Sequence, residues 1–237
     1  MRLSLAAGAV AVAGLLLLGM AGPAHRLGVP LGTAFSVVRW SAYLALAGAL
    51  LSAGAVFWAR RKSRRWPAAV AAAGVVLGIL TAAVGYAWLR VALGAPALHD
   101  ITTDLENPPA FTAIVARRPA GSHSLTRTRE VDLLQRQLYP DLAPLVIPLP
   151  SRLVFDRARL VAENQGWTIV ASDPAAGRLE ATDTTWWFGF TDDIVVRLTA
   201  WGTGTRVDVR SASRRGSTDT GTNARRVQRV LAALQQP

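Results

Sequence analysis

Three long apolar runs without a charged side chain occupy the first 89 residues and constrain the fold more than any other feature. They cover residues 3–21, 40–59 and 66–89. A helix rises about 1.5 Å per residue and the hydrocarbon core of a bilayer is about 30 Å thick, so each run is close to the length needed to cross it. We therefore predict a membrane anchor of three spans over residues 1–89.

A cleaved signal peptide is the alternative interpretation of the first run. Arg2 supplies a short basic start, and the small residues at 22–24 could be cut. However, the uncharged run is longer than the roughly 7–15 apolar residues typical of a signal peptide, and two further runs follow it. These features favour retention of the first span.

The distribution of charge predicts the orientation of the spans. Residues 1–89 contain eight basic side chains and none of the 15 acidic ones. Five of those cations lie in the short loop 60–65, and loops of this kind stay in the cytoplasm. The predicted location is the bacterial inner membrane, with a cytoplasmic N-terminus and a C-terminal domain in the periplasm or outside the cell. The net charge of +11 arises largely from these membrane flanks and does not indicate nucleic-acid binding.

Cysteine and histidine usage argues against several kinds of site. The chain has no cysteine, which excludes disulfides, thiolate catalysis and cysteine-based zinc sites. Its three histidines are scattered and lack the spacing of a metal site. No metal and no cofactor are predicted.

The remaining sequence falls into two parts. Residues 90–150 are interrupted by prolines and are predicted to form an irregular arm with one helix over residues 129–139. Residues 151–237 have the pattern of an α+β domain outside the membrane. A helix to about residue 165 is followed by a four-stranded antiparallel meander and a helix from about residue 222, packed on one sheet face.

The last hairpin of the meander allows its register to be predicted. A two-residue turn at Gly202-Thr203 places Leu198 opposite Val207 and Arg197 opposite Asp208. Apolar side chains then meet apolar ones, and opposite charges meet. A slip of one residue would place Leu198 opposite Asp208, so we favour the first register.

Several ordered stretches of the domain resemble the family called domain of unknown function 1499. They are His99-Asp100-Ile101-Thr102-Thr103-Asp104 with Glu106-Asn107-Pro108-Pro109, Tyr139-Pro140-Asp141, Phe188-Gly189-Phe190 with Asp192-Asp193 and Arg197, Asp208-Val209-Arg210-Ser211 with Ser213-Arg214 and Gly216, and Asp219, Gly221, Asn223 and Arg226. The resemblance implies an uncharacterised, membrane-associated bacterial domain, and it brings no established activity, cofactor or catalytic residue.

Two stretches, residues 184–193 and 211–223, combine aromatic, acidic, basic and hydroxyl side chains. Adjacent acids could serve as an acid and a base, guanidinium groups suit phosphate or carboxylate, and aromatic rings can stack on a sugar or a lipid. No catalytic residue is assigned, because no nucleophile accompanies His99-Asp100. The candidate binding residues are Trp186, Trp187, Asp192, Asp193, Arg197, Arg210, Ser213, Arg214, Asp219 and Asn223.

Each candidate group also has a purely structural interpretation. Asp192 and Asp193 would point to opposite faces of a strand and could pair with arginines. The arginines could form a ladder of cross-strand pairs with acids such as Asp208 and Glu180. The aromatic residues could belong to a core, and Thr222 or Asn223 could cap the final helix.

The sequence therefore predicts a membrane-anchored domain outside the cytoplasm that is a non-enzymatic binding or interaction module of the cell envelope. Its predicted partners are the lipid bilayer and either an envelope protein or an anionic envelope component. One alternative is an envelope hydrolase or carbohydrate-active enzyme using Asp192, Asp193 or Asp219. Another is a structural factor in membrane assembly, for which the three spans alone suffice.

Overall fold

The computed structural model describes residues 1–94, 96, 98–216 and 221–236. Two compact units are present, and they interleave along the sequence. The helical unit contains Met1–Gly94 together with the distant segment Trp186–Gly189. The sheet unit contains Ala95–Thr185 and Phe190–Pro237.

Three long helices form the helical unit: α1 (Arg2–Arg26), α2 (Leu31–Arg61) and α3 (Arg65–Gly94). Within the described part of the chain, these are the helices with the length and apolar composition to cross a membrane. The three predicted apolar helices are confirmed. Helix α2 begins before the predicted run, because Arg39 interrupts the uncharged sequence without ending the helix.

Small residues face the interior of the helical unit and large apolar residues face outward. The buried positions of α1 are Ser4, Ala7, Ala11, Gly14, Leu18, Ala21 and Gly22. Leu16 is 60% exposed, and leucines of α2 are exposed as well. This arrangement is typical of helices whose backbones approach closely while leucine side chains meet lipid.

Glycines of α3 allow a close approach to α2. A Cβ atom on Gly74 would lie 2.5 Å from Ser52 Oγ, and one on Gly78 would lie 2.5 Å from the carbonyl oxygen of Ala45. Any larger side chain at these positions would push the two helices apart. The small residues of α3 therefore serve packing within this chain.

The sheet unit has ten described elements. They are β1 (Asp100–Thr102), a 3-10 turn (Val115–Arg117), α4 (Arg129–Leu138), β2 (Leu145–Ile147), α5 (Ser151–Asn164), β3 (Thr168–Asp173), β4 (Arg178–Thr184), β5 (Thr191–Trp201), β6 (Gly204–Ser213) and α6 (Thr222–Gln235). All the strand pairs are antiparallel. The sheet order is β1-β6-β5-β4-β3, and β2 also pairs with β6.

The predicted four-stranded antiparallel meander is present as β3 to β6, but the sheet has two strands more than predicted. The described residues form six strands, because β1 and β2 both pair with the outer edge of β6. Each has only three residues, and both lie in the proline-interrupted segment predicted to be irregular. A strand of three residues is too short to show alternation, and its pairing with a distant edge gives it order.

The two faces of the sheet are covered differently. Helices α5 and α6 pack on one face, over an apolar core that includes Leu179, Ile194, Val196 and Val209. Residues 103–128, between β1 and α4, cover the other face, and we name them the covering segment. A small apolar cluster on this face contains Phe111, Ile114, Val195 and Ala212. The second face is otherwise rich in charged side chains.

The predicted register of the last hairpin is confirmed. Leu198 pairs with Val207 and Arg197 pairs with Asp208. Trp201 pairs with Gly204 across the two-residue turn, in which Gly202 has a φ of +57°. A positive φ at this position favours glycine, which explains the residue type there.

Candidate functional site

Strand β5 sends the two adjacent acids of the predicted site to opposite faces of the sheet. Ile194 and Val196 belong to the core under the helices, whereas Val195 belongs to the cluster on the other face. By the same alternation Asp192 lies on the helix side and Asp193 on the opposite side. The two carboxylates therefore do not face each other across one site.

On the sheet face covered by α5 and α6, the buried residue Arg226 of α6 forms hydrogen bonds with four polar side chains. Its guanidinium donates to Asp192 Oδ2 at 2.8 Å, to Asp183 Oδ2 at 2.7 Å and to Ser211 Oγ at 3.0 Å. It also donates to Asn223 Oδ1 at 2.9 Å. Only 1% of Arg226 is exposed, so these contacts replace all of its hydration.

Asn223 has a different role from the predicted one. The N-cap residue of α6 is Gly221, with a φ of +79°, and this residue has no side chain that could cap the helix. Asn223 is buried, accepts a hydrogen bond from Ser211 Oγ at 2.6 Å and donates one to Ser213 Oγ at 2.8 Å. The prediction that Thr222 or Asn223 caps the helix is wrong, because the amide of Asn223 instead ties α6 to β6.

Asp219 lies outside the described residues. Its predicted part in a binding site or in a hydrolase stays a prediction.

On the opposite face, Asp193 is held between two arginines. Arg214 Nη2 lies 2.8 Å from Asp193 Oδ1, and Arg214 Nε also donates to this carboxylate. Arg118, from the segment that covers this face, forms a second ion pair with Asp193. The Asp193 side chain is fully buried, so its charge is balanced entirely by these neighbours.

Arg210 binds a second carboxylate on this side, Asp100 of β1. Its Nη2 lies 2.6 Å from Asp100 Oδ2, and its Nε donates to Oδ1 at 3.0 Å. Arg127 adds an ion pair to Asp100 at 2.9 Å and donates to Gln135 Oε1 at the same distance. These contacts connect β6, β1 and α4 through one buried charged group.

Arg197 belongs to a third cluster, which is less deeply buried. Its Nη2 lies 2.9 Å from Asp208 Oδ2 and 3.0 Å from Asp104 Oδ2. Arg206 contacts the same two carboxylates at 3.1 and 2.8 Å. Its hydrogen bond to Asp208 raises the pKa of the Arg206 guanidinium above its ordinary value, and burial partly opposes this effect.

Glu180 completes the set of buried acids on this face, although it does not join the predicted ladder with Arg197 and Arg210. It accepts hydrogen bonds from the Thr112 backbone N–H at 2.8 Å, the Thr112 hydroxyl at 2.6 Å and the Ile114 N–H at 2.9 Å. Backbone donors stabilise an ionised carboxylate effectively. Glu180 therefore fixes the covering segment to the middle of the sheet.

The aromatic candidates are separate from these charged clusters. Trp186 and Trp187 belong to the helical unit. The Trp187 indole donates to the carbonyl oxygen of Gly19 at 3.3 Å and packs edge-on against Trp88 at 5.0 Å between ring centroids. Trp186 is 86% exposed. The predicted binding edge is thus divided between two units.

Two histidines stack beside the Asp193 and Asp100 clusters. The rings of His99 and His123 lie 4.1 Å apart, and His123 Nε2 lies 2.8 Å from the carbonyl oxygen of Gly216. Burial is the main cause that lowers the pKa of His99, and His123 adds to it. Asp100 opposes this shift, whereas Arg118 and Arg127 reinforce it.

Buried acids of the sheet unit are paired with arginines. Asp192, Asp193, Asp100 and Asp208 each contact at least one arginine. In the part of the chain that the structure describes, no group of three or more His, Cys, Asp or Glu side chains could hold a metal ion. The charged groups are arranged to pair with one another.

Arg226 is the most important residue that the candidate set lacks. Its position in the sequence carries a signal, since Arg226, Val230 and Leu234 are spaced four residues apart and share one face of α6. Both Val230 and Leu234 are buried. A charged residue that continues an apolar stripe must be buried, and it therefore requires a buried acid as its partner.

We predict that Arg226→Met destabilises the sheet unit by about 3–5 kcal/mol, because it leaves Asp192 buried without a counter-charge. The free energy of unfolding is measured by urea denaturation of the full chain in detergent. Susceptibility of the sheet unit to proteolysis reports the unfolded fraction. Arg229→Met is the matched control, since Arg229 is an exposed arginine of the same helix, and its effect should stay within about 0.5 kcal/mol. A small effect of Arg226→Met would show that the buried cation is not needed.

We also predict that the sheet unit loses stability as the pH falls below 6.5, the ordinary pKa of His99. The folded chain lowers this pKa, so the unfolded chain takes up the proton more readily. The contribution is fully present above pH 6.5 and decreases until the pH passes the lowered value. His99→Gln should flatten the change in unfolding free energy between pH 7.5 and 5.5, measured by the same method. An unchanged slope in this variant would contradict the prediction.

Comparison with known proteins gives a family. The model of the family described as "Protein of unknown function (DUF1499)" matches residues 100–234, more than half of the chain. A search of curated proteins gave no match. The matched range begins with β1 and ends in α6, and so includes the strands, the covering segment and the charged clusters that they share. The resemblance predicted from the sequence is confirmed, and the chain belongs to the DUF1499 family of proteins of unknown function.

Proposed function

We propose that this chain is a membrane-anchored, non-enzymatic interaction module of the bacterial cell envelope. In this proposal α1, α2 and α3 cross the inner membrane, and the sheet unit lies on the periplasmic or outer side. There the sheet unit binds an envelope protein or an anionic envelope component.

The observation that carries the proposal is the pairing of the buried acids with arginines. A catalytic carboxylate has to exchange a proton or attack a substrate, and a pKa adjusted toward neutrality serves this purpose. Asp193 is instead buried between Arg214 and Arg118, and its side chain is not exposed to solvent. Asp192 is 5% exposed and pairs with Arg226. These groups support the fold and leave recognition to more exposed residues.

The accessible candidates in the sheet unit are few. Arg197 and Arg214 retain 20% and 15% exposure of their side chains, whereas Asp192, Asp193, Arg210 and Asn223 are buried. Ser213 is half-buried and Arg215, next to Arg214, is exposed. A partner that uses the predicted edge would therefore meet mainly basic and hydroxyl groups, which suits an anionic ligand.

The proposed orientation depends on the cations at the junction of α2 and α3. Arg60, Arg61, Lys62, Arg64 and Arg65 lie within six residues, and such a cluster is retained in the cytoplasm. An alkaline phosphatase fused after residue 237 should be active, and a green fluorescent protein at the same position should be dark. Replacing the five cations by glutamine should weaken this preference. A fluorescent C-terminal fusion with an inactive phosphatase would reverse the proposed orientation.

The hydrolase alternative requires one of the acids to act chemically, and this differs from a structural role in a measurable way. We expect Asp192→Asn and Asp193→Asn to reduce function only as far as they reduce the amount of folded protein. Val209→Ala is the control, since Val209 is fully buried and carries no chemistry. Complementation of a deletion strain, plotted against protein abundance, should place all three variants on one line. An Asp variant of normal abundance without function would support the enzyme.

The assembly alternative can be examined in the same strain. If residues 1–94 alone restore the deletion phenotype, then the three helices suffice and the sheet unit is not the interaction module.

A further inference from the structure

Four residues between β4 and β5 belong to the helical unit although the sequence places them in the matched family domain. Thr185 and Phe190 close this turn, with the Thr185 N–H donating to the Phe190 carbonyl oxygen at 2.8 Å. The enclosed segment, Trp186–Gly189, is grouped with the three helices by its contacts. We name these four residues the aromatic turn.

The aromatic turn is fixed to the helices by specific contacts. Phe188 is 2% exposed and packs against Phe35 and Trp88, each at 5.4 Å between ring centroids. Arg26 Nη1 donates to the carbonyl oxygen of Trp186 at 3.0 Å. Gly22 allows Trp187 to lie against the backbone of α1, since a Cβ atom there would overlap the Trp187 ring.

These contacts all lie at one end of the helical unit. Gly19 to Arg26 form the last part of α1, Phe35 lies in the first turns of α2, and Trp88 lies near the end of α3. Because consecutive helices run in opposite directions, these positions are at the end opposite the basic junction of α2 and α3. The aromatic turn is therefore at the level of Trp88.

Exposed aromatic residues mark two levels along the helices. Trp66 is 78% exposed and Trp88 is 37% exposed, and these residues are 22 positions apart, which corresponds to about 33 Å of helix. On α2, Trp40 and Trp58 are 62% and 43% exposed and about 27 Å apart. Both distances are close to the hydrocarbon thickness of about 30 Å, and tryptophan prefers the two interfaces that bound it.

Trp186 does not pack into the helical unit with its neighbours. While Phe188 is buried and Trp187 is half-buried, Trp186 remains 86% exposed. Exposure of an indole side chain to water is unfavourable, whereas the interface of a bilayer accepts both its apolar ring and its N–H group. Its backbone is held by Arg26, a cation that suits lipid phosphate at the same level.

We propose that Trp186 inserts into the headgroup region of the bilayer that surrounds α1, α2 and α3. The occupant of its exposed surface is phospholipid, and the family domain thereby contributes a membrane-interface residue from the turn between β4 and β5. Phe188 and Trp187 hold the turn against the helices, and Trp186 extends from it into lipid.

The absence of cysteine from the chain allows a direct test. Trp186→Cys in the full chain is labelled with bimane and reconstituted into phosphatidylcholine–phosphatidylglycerol vesicles. Spin-labelled lipids carrying the nitroxide at acyl position 5 or 12 report shallow and deep contact, and aqueous iodide reports exposure to water. We expect the shallow lipid probe to quench the fluorescence of bimane at position 186 at least twofold more than the deep probe or iodide does.

Two reference positions separate this proposal from the membrane anchoring on which it depends. Leu50→Cys, at an exposed position midway along α2, should be quenched most by the deep probe, and Ser63→Cys, in the basic junction, most by iodide. If Leu50 behaves as expected while residue 186 is quenched by iodide and not by lipid, the anchor is retained and the insertion of Trp186 is overturned. A response to none of the three quenchers would indicate a protein partner at this position and would also overturn it.

The intact ring provides a second measurement. Shallow brominated lipid quenches part of the total tryptophan fluorescence. Trp186→Phe should reduce this quenched part by roughly one eighth, since the chain has eight tryptophans. Trp201→Phe, which removes an exposed tryptophan of the sheet unit, is the matched control for the loss of one fluorophore. Equal lipid quenching in wild-type protein and Trp186→Phe would contradict the proposal.

Discussion

A carboxylate taken out of water costs several kcal/mol unless cations and hydrogen-bond donors replace the hydration that it loses. Strand β5 takes two adjacent carboxylates out of water, on opposite faces, and the fold supplies a separate solution for each. Helix α6 brings Arg226 to Asp192, while the covering segment brings Arg118 to Asp193 beside Arg214. Asp192 and Asp193 therefore help to hold α6 and the covering segment on opposite faces of the sheet.

The same requirement explains why the segment before α4 belongs with the sheet. It has few apolar residues for a core of its own, but its Arg118 pairs with Asp193 and its Thr112 donates to Glu180. Strand β1 likewise contributes Asp100, which would be an isolated buried acid without Arg210 and Arg127. The sheet and the segments that precede α4 each supply groups that the other requires in order to bury its charges. The family match that begins at residue 100 coincides with this mutual dependence.

The parts of the structure that could be predicted from sequence are those set by local pattern. Uncharged runs gave the three helices, and the pairing of Arg197 with Asp208 followed from a turn of two residues and alternation along two strands. The ion pairs of Asp193 with Arg118 and of Asp100 with Arg210 join residues 75 and 110 positions apart, and no local pattern reports such pairs. Strands β1 and β2 were not predicted for the same reason. Each has only three residues and is ordered by its pairing with β6, which is distant in the sequence.

The interleaving of the two units has a practical consequence for work on the family domain alone. A fragment that starts after α3 would retain Trp186, Trp187 and Phe188. It would lack Phe35, Trp88 and the end of α1, which contact Trp187 and Phe188 in the full chain. Three adjacent aromatic side chains would then be exposed on a hairpin, and a surface of that kind promotes self-association. Soluble expression of the family domain therefore calls for polar replacements at these three positions, a change that leaves the Thr185–Phe190 closure of the turn intact.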